Sequence, residues 1–527
     1  MLAYETKGTD GPGWALNIPN TPGSYPNTVR GFPFPVPYAS DARRFQYSDS
    51  SAVRTRDEIR LGNLLIDYDL SFAKLTSSTA FWERKERLDT NIGPISGLVT
   101  GVGDSFPLQA QRLDNPKSYS QEFRLTSVPG RRFNWLVGVF LQRIDQRFSQ
   151  SLADLSGLDI YYNYAVIQNQ ILRAPAPTSR VPSLQLSQFR DDQEAIYGQL
   201  SYALTPTLTA DVSFRAFNLR QRAVADQSGF SFVGPGHFEQ RNAAQVFTPK
   251  LNIAWKPATD RLFYATASKG YRTGIINFPV PTPACSVALT ALGAAAGAQN
   301  VPPTKPDTVW NYEAGAKASF ARGIVQINAA GYHINFNNLQ TQVVLASLTP
   351  GGVTGGCTSL QVANVGNSKI DGAEVEMNVA VTPHLRLETS FSYTDARYSS
   401  NVLALNITRG TKVEGAPQFQ GYGALQYGFN VGPRRGYLRG EVAYTGKVYN
   451  IPLDFVTTRP PFTTGDFADV NLRAGIDLTR NVDLSLFMTN VFDTFGVTRQ
   501  LNQRDGAPPT VFTTRPRTTG ATLRAHF

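Results

Sequence analysis

The chain has 527 residues, a charged fraction of 17% and a formal net charge of +10 at pH 7. That charged fraction lies below the roughly 25% of soluble domains, while the mean hydropathy of -0.23 is too polar for a bundle of membrane helices. Strands that are apolar at every second position satisfy both limits, so the composition favours an all-β membrane protein. The basic residues are spread out and follow no nucleic-acid-binding motif, so we expect no nucleic-acid partner.

Residues 1–57 are predicted to contain a partial first strand, from Leu2 to Lys7, and then a long external loop. The first residues lack the basic and apolar regions of a signal peptide, so we expect the N-terminus of this sequence to be incomplete. From residue 58 onward, period-two segments follow one another without a change in composition. The sequence therefore predicts a single β-barrel domain over residues 58–527.

Turn residues divide the chain into about eighteen strands, of which the Leu2–Lys7 segment is the first. Short and long connections alternate along the chain, as they do between the two rims of an outer-membrane barrel. The short connections contain Pro, Gly or clusters of polar residues, which allow the chain to reverse its direction. The short connections are Ser127–Arg131, Leu204–Thr207, Trp255–Asp260, Ala321–Gly323, Val381–His384, Gly432–Arg435 and Leu478–Asn481. The long connections are residues 89–116, 151–182, 277–305, 400–412, 451–464 and 501–509.

Within each strand, apolar and polar side chains alternate. In the strand that follows His384, Leu387 and Phe391 are predicted to face lipid, whereas Arg386 and Glu388 face the interior. A soluble sandwich alternates in the same way, but it rarely needs so many strands of about ten to fifteen residues. The pattern thus predicts a transmembrane antiparallel β-barrel with a multi-pass wall in contact with outer-membrane lipid.

One uncharged stretch, from Thr273 to Thr304, resembles a membrane helix in composition. Its prolines leave a core of about 15 residues, which is shorter than the roughly 20 residues that a membrane span requires. We therefore predict an external loop with room for one short helix.

The two cysteines, Cys285 and Cys357, fall in external loops of successive hairpins. An exported protein meets an oxidising compartment, so we predict a disulfide between them; two unrelated thiols are the alternative.

The chain ends in a strictly alternating strand. Ala521, Leu523, Ala525 and Phe527 share one face, and the last residue is aromatic. This ending is typical of outer-membrane barrels, and we expect the barrel-assembly machinery to act on this strand.

Several short sequence segments resemble the C-terminal β-barrel of TonB-dependent outer-membrane receptors of the siderophore-receptor type. Each segment alone is a weak signal, and the resemblance rests on their order and spacing over roughly residues 58–527. They are Tyr264–Gly274, Lys305–Lys317, Asp371–Glu376, Thr489–Asp493 and the terminal Phe527.

The resemblance implies a barrel of about 22 strands whose lumen is filled by an N-terminal plug domain. Neither the plug nor the energy-coupling segment before it occurs in this sequence. The eighteen strands would then be part of the full set, with the first strands missing, and we expect a truncated product.

By the same resemblance, the expected function is energy-coupled uptake of a scarce ligand across the outer membrane of a Gram-negative cell. A ferric siderophore is the first candidate for that ligand. The TonB complex would be a partner wherever the plug is present. Loop aromatic and basic residues are the candidate ligand contacts, and they are Tyr161, Tyr162, Tyr164, Arg272 and Arg459.

A passive pore remains the alternative, because a pore needs no plug. An enzyme is not expected: the four histidines lie far apart, and no nucleophile, phosphate-loop or metalloprotease motif is present. No cofactor and no resident metal are predicted.

Overall fold

A computed structural model describes most of the chain. The described residues are 2–10, 15–17, 28–29, 32–33, 54–91, 108–154, 183–228, 236–280, 282–298, 300–345, 360–401, 407–450, 462–501 and 510–526. Every structural statement below refers to these ranges.

Eighteen strands form one large sheet. They are β1 (Leu2–Asp10), β5 (Arg54–Asp69), β6 (Ala73–Asn91), β7 (Leu108–Ser127), β8 (Phe133–Asp154), β9 (Ser183–Thr205), β10 (Leu208–Ser228), β11 (Gly236–Ala258), β12 (Arg261–Arg272), β13 (Asp307–Phe320), β14 (Val325–Asn337), β17 (Ser368–Ala380), β18 (Leu385–Tyr398), β19 (Phe419–Val431), β20 (Arg434–Thr445), β23 (Phe467–Asp477), β24 (Val482–Thr489) and β27 (Thr518–Ala525).

The remaining elements are short and lie in the connections. They are β2 (Ala15–Asn17), β3 (Thr28–Val29), β4 (Phe32–Pro33), β15 (Gln340–Val344), β16 (Leu360–Asn364), β21 (Val448–Asn450), β22 (Phe462–Thr464), β25 (Val497–Leu501), β26 (Thr510–Thr513), the helix α1 (Thr282–Ala291) and a 3₁₀ turn at Ala321–Gly323. The helix occupies the uncharged stretch in which the sequence left room for one. Among the described residues, no helix combines the length and apolar character needed to cross a membrane.

Each strand of the large sheet pairs antiparallel with the next one in chain order, from β1 through β5 to β27. The predicted strand number, all-β class and antiparallel barrel architecture are confirmed. The first strand extends to Asp10, and β5 begins at Arg54, before the boundary predicted at residue 58. Short turns alternate with long connections, so the barrel has a short-turn rim and a long-loop rim.

The outer face of the strands is apolar over a broad belt. On β10, Val212 and Phe214 are exposed, and their direct cross-strand neighbours on β9 and β11 include Leu200 and Leu251, which are also exposed. Large apolar side chains left in contact with solvent on every second residue are what a lipid-facing wall requires. Other members of this belt are Val139, Leu141, Ile196, Phe247, Leu425, Leu438 and Leu486.

Buried apolar side chains cluster at the long-loop rim. One cluster joins α1 to later loops through Cys285, Leu289, Val301 and Leu345. A second cluster joins Val343 and Val365 to Tyr398 at the end of β18. The two larger buried apolar clusters therefore lie in the external loops, and a smaller one, formed by Ala195, Phe217 and Leu219, lies on the wall.

Candidate ligand-binding mouth of the barrel

Three consecutive long connections, which follow β12, β14 and β18, pack into one body at the long-loop rim. We call the described residues of 273–306, 338–367 and 399–418 the cap. Its apolar interior is completed by Ile407, which lies beside Val343, Val365 and Tyr398. Tyr398 is 1% exposed, and its hydroxyl donates to Glu414 at 3.0 Å. The cap is thus a folded unit with its own core.

Amide side chains connect the first two cap segments. Asn277 Nδ2 donates to the carbonyl oxygen of Val362 at 2.8 Å, and the Val362 N–H donates back to Asn277 Oδ1 at 2.7 Å. Gln361 Nε2 donates to the carbonyl oxygen of Phe278 at 2.8 Å. Asn364 makes a similar two-way contact with the backbone of Lys305, at 2.8 and 3.0 Å. Because Asn277 and Gln361 are buried, these bonds satisfy backbone groups that would otherwise lose solvent without a partner.

Arg272, a predicted ligand contact, lies where the cap leaves the wall. Its Nε and one Nη donate to the carboxylate of Asp307, which is 0% exposed, and the same Nη donates to the carbonyl oxygen of Gln340 at 3.1 Å. Asp307 also accepts the Gln340 N–H at 3.1 Å. The guanidinium stacks over Phe336 at 5.3 Å. The structure therefore places Arg272 in an ion pair that anchors the cap, with 56% of its side chain still exposed.

The cap also contacts the inner wall. The Phe278 ring lies 5.4 Å from Phe189 on β9 and 6.3 Å from Phe238 on β11, measured between centroids. Asn300 Nδ2 donates to Gln240 Oε1 at 3.0 Å. On the same side, Phe217 of β10 is buried and stacks on Tyr271 at 4.1 Å. The cap thus covers the β9 to β11 side of the mouth.

Below the cap, the inner wall carries a network of paired charges. Arg439 of β20 donates to Glu388 at 2.6 Å and to the Tyr422 hydroxyl at 2.8 Å. That hydroxyl in turn donates to Glu441 at 2.8 Å. The predicted inward orientation of Glu388 is consistent with this network. A hydrated passage lined by paired charges is expected for the lumen of a transport barrel.

Aromatic rings lie flat over glycines of the neighbouring strand at five places on the inner wall. In each pair, the two residues are direct cross-strand partners and the ring occupies the space of the missing side chain, as in aromatic rescue of glycine. A Cβ at Gly315, for example, would lie 2.7 Å from the Tyr264 ring. The pairs are Tyr197 over Gly138, Tyr264 over Gly315, Tyr332 over Gly372, Tyr437 over Gly475 and Phe487 over Gly520.

The other predicted site residues are only partly described. Cys285 is disulfide-bonded; Cys357, the other cysteine of the chain, lies outside the described residues, so the pairing stays a prediction. Ala521, Leu523 and Ala525 lie on β27, which pairs with β24; their role in assembly stays a prediction. The remaining predicted site residues, all outside the described ranges, are Tyr161, Tyr162, Tyr164, Arg459 and Phe527.

Sequence reasoning missed the amides that hold the cap together, Asn277, Gln361 and Asn364. Asparagine and glutamine in a loop carry no periodic signal, and their partners lie far away in the chain. Among the described residues, no group of three or more His, Cys, Asp or Glu side chains could hold a metal ion.

Solved structures with the same fold include uptake, import and siderophore receptors. The ferric yersiniabactin uptake receptor of Yersinia pestis matches with a TM-score of 0.68 and 15% identity, over 91% of this chain and 63% of the receptor. The siderophore receptor PiuA of Acinetobacter baumannii matches with 0.68 and 15%, over 100% of this chain and 71% of PiuA. The ferric-catecholate import receptor Fiu of E. coli gives 0.65 and 12%, over 100% and 72%.

At these identities the likeness concerns the fold alone, and the chain spans less than two thirds of the yersiniabactin receptor. The family model described as "TonB dependent receptor-like, beta-barrel" matches residues 3–491, which is most of the chain. The family is one of receptors and not of enzymes. This chain is a member of the TonB-dependent receptor β-barrel family.

Proposed function

We propose that the chain forms the wall and external cap of an outer-membrane receptor for energy-coupled uptake of a scarce ligand, with a ferric siderophore as the first candidate. The observation that carries this proposal is the cap. Three loops share two adjoining apolar clusters and a set of buried amide contacts, and they cover part of a polar passage. A structured cover over a passage suits a gated receptor better than an open pore.

The siderophore assignment is supported by the siderophore receptors among the structural neighbours and by the positive net charge of the chain, which would attract anionic iron chelates. The proposal places the protein in the outer membrane of a Gram-negative cell, with assembly by the barrel-assembly machinery and coupling to the TonB complex through a plug. It also assigns the region before Arg54 to the first barrel strand and a long external loop, and the strands from β5 onward to the rest of the barrel.

Uptake measurements test this function directly. The full-length protein is expressed in a strain without its own siderophore receptors, and cells receive a panel of ⁵⁵Fe-loaded catecholate, hydroxamate and carboxylate siderophores. At least one chelate should enter, and a protonophore should stop its entry. Asn277→Ala combined with Gln361→Ala should lower uptake by loosening the cap, whereas Gly421→Ala, where an added Cβ meets nothing within 4 Å, should leave uptake unchanged.

A passive pore is the second candidate, and the polar network on the inner wall around Arg439 favours it. Conductance of the purified protein in planar bilayers separates the two functions. A receptor should show only brief openings without ligand, while a pore should conduct steadily and should admit solutes into cells regardless of the protonophore.

A further inference from the structure

Three arginines border the apolar belt at the short-turn rim, the end of the wall opposite to the cap. Arg132 directly precedes β8, Arg261 begins β12 and Arg434 begins β20. All three residues are exposed. We call them the rim arginines.

The rim arginines lie on the outer face of the barrel. The first two guanidiniums stack over exposed rings of the belt, at 5.2 Å from the centroid of Tyr202 and 5.7 Å from that of Phe320. Arg434 is the direct cross-strand partner of Val431, which is exposed on the same belt. Direct partners share a face of the sheet, so all three cations are directed toward the surroundings of the barrel.

The positive charge of the rim arginines is not neutralised within the described ranges, where none of the three forms an ion pair. Arg132 donates from Nε and one Nη to the carbonyl oxygens of Ala203 and Leu204, at 2.8 and 2.9 Å. These acceptors are neutral. Asp260, which precedes Arg261 in the connecting turn, is exposed and forms no ion pair in those ranges either.

The acidic strand residues closest to this rim lie on the inner face instead. Through the strand register, each shares its face with the polar residues and ring-covered glycines of the inner wall. They are Asp67, Asp69, Asp211, Asp477 and Asp483. The outer face of the rim is therefore basic, and its counter-charges must come from outside the chain.

The height of the rim arginines matches that of lipid phosphates. Arg261 is two residues from Phe263, an exposed ring that pairs with Trp255 at 5.3 Å between centroids. Exposed aromatic pairs of this kind mark the boundary of the hydrocarbon region. Two residues correspond to about 7 Å along a strand and about 5 Å along the membrane normal after tilt. The headgroup zone of a leaflet is about 5–7 Å deep, so the guanidiniums lie within it.

We propose that the rim arginines bind the phosphate groups of anionic phospholipids in the leaflet at the short-turn rim. A guanidinium binds phosphate oxygens through parallel hydrogen bonds, and the acyl chains below the phosphate lie against the apolar belt. A zwitterionic headgroup would add an ammonium group to a face that offers it no acidic strand residue, so an anionic headgroup such as that of phosphatidylglycerol is preferred. This inference rests on the proposed outer-membrane location and not on ligand uptake.

The test compares two triple variants with the same loss of charge. Arg132→Gln, Arg261→Gln and Arg434→Gln remove the rim arginines. Arg386→Gln, Arg435→Gln and Arg524→Gln remove three exposed arginines at the same end of the strands that have the opposite, inward orientation. Full-length proteins in detergent are mixed with equal amounts of phosphatidylglycerol and phosphatidylethanolamine with the same acyl chains, and native mass spectrometry counts the lipids that stay bound.

The unmodified protein should retain phosphatidylglycerol in preference to phosphatidylethanolamine. The rim variant should bind phosphatidylglycerol about fivefold more weakly, since one basic residue near an anionic lipid surface contributes about that factor. The inward variant should bind as the unmodified protein does. Unchanged binding by the rim variant, an equal loss in the inward variant, or equal retention of the two lipids by the unmodified protein would overturn the proposal.

Heat-modifiable gel mobility confirms that each variant folds. Should a triple variant fail to fold, the single variants Arg434→Gln and Arg435→Gln give the same comparison, because these neighbours point to opposite faces of β20. Only Arg434→Gln should then reduce the retention of phosphatidylglycerol, and an equal effect of the two would overturn the proposal. Lipid retention is measured without a siderophore, so its result is independent of the uptake test.

Discussion

The wall and the cap are stabilised in different ways. The wall distributes its hydrogen bonds over the backbones of eighteen strands, so no single side chain decides its structure. The cap depends on a few buried polar groups, such as Asp307 and Asn277, each of which serves two or more partners. Consequently the wall should tolerate most single substitutions, while the cap should open locally when one of these groups is lost.

Asp307→Ala should give the largest local effect. It removes the carboxylate from Arg272 and leaves the buried Gln340 N–H without its partner, at a cost of about 3 kcal/mol to the cap. Hydrogen exchange should show faster exchange of cap amides with unchanged exchange in the wall. Asp371→Ala is the matched control, because Asp371 is 67% exposed and pairs only with His333 on the outside. Faster exchange throughout the barrel would contradict the separation of wall and cap.

Cys285→Ser should have the next largest effect. A disulfide that closes a long loop contributes about 2–4 kcal/mol, and Cys285 lies in the buried cluster of the cap. We expect faster exchange in α1 and unchanged barrel mobility on gels. Peptide mapping of the unmodified monomer without reduction should recover one linked peptide that contains Cys285 and Cys357. A disulfide between two copies of the chain, or recovery of the two peptides unlinked, would exclude the predicted pair.

Gly372→Ala tests the wall at one of its few sensitive points. An added methyl group would overlap the Tyr332 ring, which must then turn away from the strand, at a cost of about 1–3 kcal/mol. The unfolding midpoint in urea should fall, and cap exchange should stay the same. Gly421→Ala, which meets open space, is the control. An unchanged midpoint for Gly372→Ala would show that the ring has room to move.

These differences also explain which parts of the molecule the sequence could predict. Alternation and turn residues are local, and they were sufficient for the strand number, the antiparallel order and the two rims. The cap depends on contacts such as Asn277 with Val362, which are 85 residues apart, and no local pattern specifies them. The sequence marks Arg272 as a basic residue near aromatic ones, but its pairing with Asp307 depends on the register between β12 and β13.

The aromatic rings that lie over glycines on the inner wall affect how water can enter and leave the interior of the barrel. Water that enters a channel competes for the N–H and carbonyl groups of any strand it can reach, and glycine leaves those groups the least sheltered. A ring laid across each of these five glycines shields that stretch of backbone. Solute and water can therefore exchange inside the barrel while the hydrogen bonds of its frame stay protected.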